Sequence, residues 1–421
     1  METFEEYLQQ WPTERRSAGA ARATGDAVLA VLEKESLTPA DFLTLLSPAA
    51  QPHLEALARR AHGLTQRYFG RAVNIFTPLY ISDVCTNQCR YCGFNAKNKQ
   101  PRRHLSVDEA CAEAFAIADR GFQHILLLTG DARKLSSPEY IAAVARRIKP
   151  RFASVGIEVY SLTTEEYALM AAAGVESMTM FQETYNQELY AWLHPVGPKH
   201  DYAFRLNAPQ RAAEGGIRCL GLGALLGLES FEQDAFATGL HAWWLQRRYP
   251  GVDMSVSIPR ICPHEGSFEV QHGVDDRHLV QYVTALRCFL PRAGITCSSR
   301  ESAFMRDHLV PLGVTRVSAG VSTAVGGRAT ADLHNPGQFE ITDHRSLDEM
   351  MDSVAGGTGA DDVLDLFKKI TSAREAAASV AGNSGESNTE SSSRKSALNK
   401  TLKKNLADIN PAMDLVRIYG F

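Results

Sequence analysis

Cys85, Cys89 and Cys92 lie in the run Cys85-Thr86-Asn87-Gln88-Cys89-Arg90-Tyr91-Cys92-Gly93-Phe94, a C-x3-C-x2-C spacing with an aromatic residue before the third thiol. Thiolates are the preferred ligands of iron–sulfur clusters, and an ordinary 4Fe–4S cluster takes four of them. A compact loop that offers three leaves one iron open. The amino and carboxylate groups of S-adenosylmethionine can chelate that iron, and an electron from the cluster then breaks the sulfonium to give a 5′-deoxyadenosyl radical. The cofactor carries this chemistry and the protein aims it. A structural zinc knot is the competing reading, but such sites combine two short Cys/His pairs, and no second pair lies nearby. A disulfide fits worse, since a trio leaves one thiol over. The other cysteines, Cys111, Cys219, Cys262, Cys288 and Cys297, are scattered singly and read as small buried core residues.

The elements that must position this loop follow from periodicity. Up to about residue 72 the chain reads as helices: Ala20–Glu33 is rich in Ala, Leu and Val, Thr38-Pro39-Ala40-Asp41 is an N-cap followed by proline in the first turn, and Gln51–Tyr68 has helical spacing. From Asn74 short β-branched and apolar runs alternate with helix-length segments. Strands are expected near Asn74–Ser82, His124–Gly130, Ser154–Tyr160, Ser177–Gln182, Ile217–Leu226, Asp253–Ile258, Gly294–Ser299 and Thr315–Ala319. Amphipathic helices are expected between them at Val107–Arg120, Ser137–Ile148, Thr164–Ala173 and Asp276–Phe289. Strands alternating with helices imply βα units and a parallel sheet. Eight units in about 250 residues match the α/β TIM-type (β/α)8 barrel, whose active sites lie at the C-terminal ends of the strands, where the cysteine loop begins. Periodicity does not separate a closed barrel from a doubly wound open sheet.

Three regions result: an N-terminal helical extension (1–72), the barrel (73–355) and a C-terminal extension (356–421). In the last, Asp361–Ser379 looks helical, and Ser379–Ser393, rich in Ser, Gly, Asn and Glu, has the composition of a disordered segment. Lys400–Lys404 reads as a solvated basic cluster. Of the 421 residues 44% are apolar, enough for a sizeable core, and a net charge of −4 leaves no footprint for nucleic acid or an anionic membrane surface. The start, Met1-Glu2-Thr3-Phe4-Glu5-Glu6, lacks a basic n-region and apolar core, and no apolar run approaches a membrane span. The expectation is a soluble cytoplasmic protein whose thiols stay reduced.

Further blocks accompany the cysteines in order: Pro78-Leu79-Tyr80-Ile81-Ser82, Cys92-Gly93-Phe94-Asn95, Leu126-Leu127-Leu128-Thr129-Gly130-Asp131, Gly156-Ile157-Glu158-Val159-Tyr160, Phe181-Gln182-Glu183-Thr184-Tyr185, Gly197-Pro198-Lys199, Gly223-Ala224-Leu225-Leu226-Gly227-Leu228, Ser257-Ile258-Pro259-Arg260, Ser299-Arg300-Glu301 and Ser318-Ala319-Gly320. With them the chain, from about Thr38 to Ser346, resembles the aromatic-amino-acid lyases of the radical S-adenosylmethionine superfamily, most of all the tyrosine lyases that serve thiamine thiazole synthesis. The cysteine spacing with Tyr91 before the last thiol is that superfamily's signature.

The resemblance implies a 4Fe–4S cluster on Cys85, Cys89 and Cys92, with S-adenosylmethionine as cofactor. Thr129-Gly130-Asp131 occupies the place of the Gly-Gly-Glu motif, whose backbone receives the methionine amino group; in isolation the tripeptide reads equally as a helix-entry turn. Gly223 to Gly227 resembles the glycine-spaced fifth strand beside the adenosine, although glycines inside strands often just mark bulges. Arg300, and with less support Arg260, would clamp a substrate carboxylate through the planar guanidinium fork, against the alternative that Arg300 pairs with Glu301 or Glu183. Glu158 and Glu183 would hold the adenosine ribose or the substrate ammonium, or simply satisfy an arginine. Two departures are visible: Cys262 stands where the family usually has a basic residue, and Phe181 where it usually has tyrosine.

The implied reaction cleaves the Cα–Cβ bond of L-tyrosine to 2-iminoacetate and p-cresol, with 5′-deoxyadenosine and methionine. The implied partners are thiazole synthase and a flavodoxin- or ferredoxin-type electron donor. A tyrosine lyase of hydrogenase maturation carries a second cluster on C-terminal cysteines, whereas no cysteine follows Cys297 here. A tryptophan lyase differs only in the pocket. A non-catalytic iron–sulfur or zinc protein is the rival of another class.

Overall fold

The eight expected strand segments all form strands in the computed structural model, which describes residues 2–262, 268–329 and 338–356. They are β1 (Asn74–Ser82), β2 (His124–Thr129), β3 (Ser154–Glu158), β4 (Ser177–Glu183), β5 (Cys219–Ala224), β6 (Asp253–Ser257), β7 (Gly294–Cys297) and β8 (Arg316–Ser318). Each pairs in parallel with the next, and β1 pairs with β8 through Asn74–Arg316, Ile75–Val317 and Phe76–Ser318. The sheet therefore closes into a barrel, and the open-sheet alternative is excluded.

Helices cover the barrel because each has a clear start and one apolar face. Ser106, Ser137, Thr163 and Asp275 cap the helices Val107–Ala118, Pro138–Ile148, Thr164–Ala172 and Asp276–Phe289, each side chain accepting from a backbone N–H in the first turn. The Thr38 cap with Pro39 at the first helical position forms as expected.

The region is helical as expected, and the structure adds two boundaries within it. Ala20–Glu33 is not one helix: Thr24 turns its hydroxyl to the Ala27 N–H and caps a new helix, so the chain breaks between Thr13–Arg22 and Gly25–Leu32. Gln51–Tyr68 also divides, because Pro52 holds Pro48–His53 in a 3-10 helix before Leu54–Phe69 begins.

The N-terminal helices lie against the outer helices Phe231–Arg248 and Asp276–Phe289. Phe4 stacks on His241 at 3.9 Å and Phe42 on Phe289 at 4.5 Å between ring centroids. Their apolar burial belongs to the same core as the barrel's. The expected helix Asp361–Ser379, the Ser-rich stretch to Ser393 and the Lys400–Lys404 cluster lie outside the described residues.

The cysteines divide differently from expectation. Cys111, Cys288 and Cys297 are buried core residues, whereas Cys219 and Cys262 are only half-buried. Cys219 lines the barrel lumen and Cys262 the pocket at its mouth.

Candidate active site

The cysteine loop hangs over the mouth of the barrel, at the C-terminal ends of the strands. It is tied to β2's exit by Thr86 N–H donating to Asp131 O (2.9 Å) and to the segment after the helix Gln187–Leu193 by Gln88 N–H to Val196 O (3.0 Å) and Arg90 N–H to Leu193 O (3.1 Å). Gly130 is obligatory where these cross: a Cβ there would stand 2.3 Å from Val84 O. Asn87 acts as a bracket. Its Nδ2 donates to Asp131 Oδ2 (2.9 Å), and its Oδ1 accepts from Lys199 N–H (2.9 Å). Gly197, at φ +106°, makes that approach possible, since a Cβ would collide with Asn87.

Burial pushes the Cys85 thiol up and the Cys89 thiol up to about 12; each of the two feels neighbouring cysteines, and Lys199 pulls Cys89 back. Thiols in that condition become thiolates when a metal takes the proton's place. Two amides face the sulfurs: Asn87 Nδ2 lies 3.7 Å from Cys85 Sγ and Gln338 Nε2 3.6 Å from Cys92 Sγ. Tyr80 OH fixes Gln338 by donating to its Oε1 at 2.8 Å. Donors to thiolate sulfur are what the surroundings of an iron–sulfur cluster supply, so the residues fit the cluster.

Tyr91 is buried and its hydroxyl lies 2.7 Å from His194 Nε2. His194 Nδ1 faces the Tyr190 carbonyl at 2.7 Å. A carbonyl only accepts, so Nδ1 carries the proton and Tyr91 donates. Burial and the nearby Lys199 push His194 down to about 2, which keeps it neutral and fixes this tautomer. Beside the loop, Thr129 Oγ1 and Asp131 Oδ1 are buried without a partner. Orphaned polar atoms next to Gly130 fit a polar ligand such as the methionine end of S-adenosylmethionine.

Glu183 ends β4 at φ +71°, the only non-glycine in the left-handed region among the described residues. Lys199 Nζ is 2.5 Å and Arg205 3.7 Å from its Oε1, all three side chains being about nine-tenths buried. Backbone held this way for a charged side chain marks a site rather than a turn. Glu158, at the C-terminal end of β3, stands between the mouth and the lumen. Burial raises it from the ordinary 4.5 to about 7; Arg300 works against this and Glu183 with it.

The two arginines part company. Arg260 donates to Glu301 through Nε (2.9 Å) and a second nitrogen, and to Asp276 at 2.8 Å. It lines a rim pocket that Arg300 also borders, but neither the mouth pocket nor the lumen, so the structure does not bring it to the lumen as a clamp. Arg300 makes no ion pair among the described residues. Its guanidinium lies over the Phe339 ring at 3.4 Å. Glu301 and Glu183, the partners considered for Arg300, are occupied by Arg260 and by Lys199 with Arg205.

A mouth pocket of about 530 Å³ joins Cys92, Tyr91, Glu183, Glu158 and Arg300. Glu158 and Arg300 also line the lumen cavity of about 1000 Å³ beneath it. Gly223 packs against Phe181, which lines both spaces; a Cβ there would meet the Phe181 ring at 2.7 Å. Gly227, at φ +111°, shapes the turn after β5 against Ile261 instead of facing either space. The sequence motifs contain Asn87, Lys199 and Tyr80 without giving them roles, and they leave out His194 and Arg205. A lone cation such as Arg205 carries no spacing signal.

Family models match along the barrel: the radical SAM superfamily over residues 79–236 and the biotin and thiamin synthesis associated domain over residues 257–356. The chain is 37% identical over 330 residues to 2-iminoacetate synthase of Escherichia coli (strain K12), covering 78% of this chain and 88% of that one. It superposes on the FeFe-hydrogenase maturase HydG from Carboxydothermus hydrogenoformans with a TM-score of 0.76 at 28% identity, over 84% and 83% of the two chains. Methylornithine synthase shares the fold, with a TM-score of 0.61 at 22% identity over 81% of this chain and 99% of that one. Membership brings a 4Fe–4S cluster and S-adenosylmethionine as cofactors, and among the described residues no helix is long and apolar enough to cross a membrane. The three-thiol loop over a closed barrel, with these matches, places the chain in the radical SAM superfamily, in the branch with a biotin and thiamin synthesis associated domain that includes the 2-iminoacetate synthases.

Proposed function

We propose that the protein is a radical lyase that cleaves the Cα–Cβ bond of L-tyrosine, giving 2-iminoacetate and p-cresol alongside 5′-deoxyadenosine and methionine. The observation that carries this reading is the pair Glu158 and Arg300, which stands at the junction of the mouth pocket beside Cys92 and the lumen below. An amino acid has a carboxylate for Arg300 and an ammonium for Glu158, and its side chain has the lumen. The reading is also supported by the identity to 2-iminoacetate synthase.

When bound, the cluster and S-adenosylmethionine would supply a 5′-deoxyadenosyl radical on one-electron reduction by a flavodoxin- or ferredoxin-type donor, and a second electron from such a donor with a proton would convert the 4-oxidobenzyl radical left by cleavage to p-cresol. Cys85, Cys89 and Cys92 hold the cluster, while Thr129, Gly130 and Asp131 border the methionine end. Glu183, braced by Lys199 and Arg205, offers a fixed carboxylate to the ribose or the substrate ammonium. Arg300 orients the substrate bidentately so that its amine faces the mouth. Holding a reacting group in place this way contributes by proximity and orientation. Phe339 and Gln338 cover the site from the segment after the barrel and restrict water. The imine product hydrolyses readily, so delivery to thiazole synthase completes the proposed role in thiamine synthesis.

Anaerobic turnover with S-adenosylmethionine, dithionite and each aromatic amino acid in turn tests this. Tyrosine should give p-cresol and glyoxylate, the hydrolysis product of the imine, by mass spectrometry. Cleavage of tryptophan but not tyrosine would overturn the assignment.

A further inference from the structure

The lower barrel is open where a (β/α)8 barrel is ordinarily filled by layers of branched apolar side chains. Its inward positions carry Ser154, Gly156, Ser177, Gly221, Ser255 and Thr296. Two of these cannot be larger than glycine: a Cβ on Gly156 would stand 2.5 Å from Ser177 Oγ, and one on Gly221 2.7 Å from Thr179 Oγ1. The space ends at a cation. Arg316 leaves β8 and reaches across the lumen to β5, its guanidinium nitrogen 3.4 Å from Cys219 Sγ.

Among the described residues Arg316 makes no ion pair. His124 beside it is turned to Ser154 Oγ at 2.8 Å, and burial together with Arg316 holds its pKa below the ordinary value, so it stays neutral. Glu176, the acid felt at His124, is taken by Lys149 at 2.7 Å. Hydroxyls line the wall above: Ser255 and Thr296 face each other at 3.0 Å. A half-buried guanidinium that lines a cavity and makes no ion pair among the described residues is a donor waiting for an oxygen.

Depth decides which oxygen. Thr296 pairs with Arg316 in the β7–β8 register, and Arg300 lies four residues beyond Thr296. Arg316 therefore stands level with the β7 interior and Arg300 lies past the C-terminal end of that strand, so the two arginines line the same cavity at different depths. An extended aromatic amino acid whose carboxylate is on Arg300 points its para position down this shaft.

We propose that the barrel floor is a phenol-reading subsite, in which Arg316 donates to the phenol oxygen of a tyrosine held by Arg300. This rests on the tyrosine-lyase reading and extends it to the origin of substrate choice. A site built to hydrogen-bond a hydroxyl discriminates strongly against the analogue that lacks it, because its own polar group is then left unpaired. Phenylalanine fills the same shaft and leaves Arg316 with nothing.

The test is calorimetric binding of L-tyrosine and L-phenylalanine to the anaerobic enzyme loaded with cluster and S-adenosylmethionine. Wild type should prefer tyrosine. Arg316→Gln should weaken tyrosine roughly 10- to 100-fold, the range for a hydrogen bond to a charged group, and leave phenylalanine unchanged. Arg316→Lys, which keeps a donor on a different stem, should restore part of the preference, and it decides alone if the glutamine variant does not fold. An unaltered tyrosine-to-phenylalanine ratio in the variants overturns the subsite. So does a parallel loss of both ligands, which marks a purely structural arginine. If wild type cleaves tyrosine and the ratio does not move, the subsite alone fails; if wild type does not cleave tyrosine, the functional reading fails first.

Discussion

Arg260 and Arg300 stand just past the ends of neighbouring strands, β6 and β7, and the chain treats them in opposite ways. On the outer rim Arg260 is saturated: Glu301, 5% exposed at the side chain, takes two of its nitrogens and Asp276 another. On the inner wall Arg300 has an aromatic face and borders the lumen and the mouth pocket as well as the rim pocket it shares with Arg260. One guanidinium holds the rim together and the other is left for a ligand. What separates them is the supply of carboxylates, not the arginines themselves. Glu301 follows Arg300 directly in sequence yet turns away to Arg260, which removes the acid that would otherwise neutralise the clamp.

The largest effect should come from the unpaired member. Arg300→Gln removes the carboxylate partner, and tyrosine turnover should fall by two to three orders of magnitude, in line with losing a bidentate charged contact about 3–4 kcal/mol strong. Arg300→Lys keeps the charge without the fork and should fall between. Cluster content by visible absorbance and S-adenosylmethionine binding should survive in both. Undiminished tyrosine affinity in Arg300→Gln would move the clamp elsewhere and dissolve the comparison.

The paired member should fail differently. Arg260→Met leaves Glu301 buried without its cation, a defect of about 3–5 kcal/mol for a buried pair with one partner removed. Thermal unfolding of the apo protein should report it as a lower Tm, while tyrosine affinity in the surviving folded enzyme changes little. Arg260→Met with Glu301→Leu should recover most of the stability, because no uncompensated charge remains. A stable single variant with lost activity would reverse the two assignments.

Glu158 makes the comparison sensitive to pH. Its charged neighbours are Arg300, Arg205 and Lys199, which favour the carboxylate, and Glu183, which opposes it; burial outweighs them and sets the value at about 7. The folded pKa is raised, so its contribution to apo stability is complete below about 4.5 and is lost as pH rises through 7. Binding runs the other way: a substrate ammonium needs the ionised acid, so tyrosine affinity should climb about tenfold from pH 6 to 8. Titration calorimetry at several pH values checks this, and Glu158→Gln should flatten the profile. A flat wild-type profile would remove Glu158 from the substrate's partners.

The contrast between the arginines was half legible in the sequence. Both follow strands, and strand positions were readable because apolar β-branched runs alternate with well-capped helices. Closure was not readable: pairing Asn74 with Arg316 is a register between distant segments, and local periodicity carries no information about it. Nor was the exchange of partners, since Glu301 adjoins Arg300 in sequence and only the geometry of the β7 exit turns it outward. The cysteine trio was visible because its ligands are close in sequence, while His194 and Arg205 come from segments more than 100 residues further on that only the barrel brings beside it. Cys219 and Cys262 read as core because a lone cysteine usually is; each instead lines a cavity, Cys219 facing Arg316.

The smallest expected effect concerns what holds Arg300 in readiness. Its guanidinium lies 3.4 Å from the centre of the Phe339 ring, a contact worth about 0.5–2 kcal/mol depending on desolvation. The segment carrying Phe339 is fixed to the barrel on the other side of the ring: Thr342 and Asp343 donate backbone N–H bonds to Ser299 O, and Asp343 meets the buried Arg306 at 2.5 Å. The ring is therefore placed by anchors independent of the arginine. Phe339→Leu keeps the apolar cover and deletes the π face, so the guanidinium loses its preferred orientation but not its charge. Tyrosine KM should rise about 3- to 10-fold, the rate equivalent of that contact, with kcat nearly unchanged and Tm within a few degrees of wild type. A fall in kcat without a change in KM would instead mean that Phe339 excludes water from the reacting amine, and the unpaired arginine would then be oriented by its backbone alone.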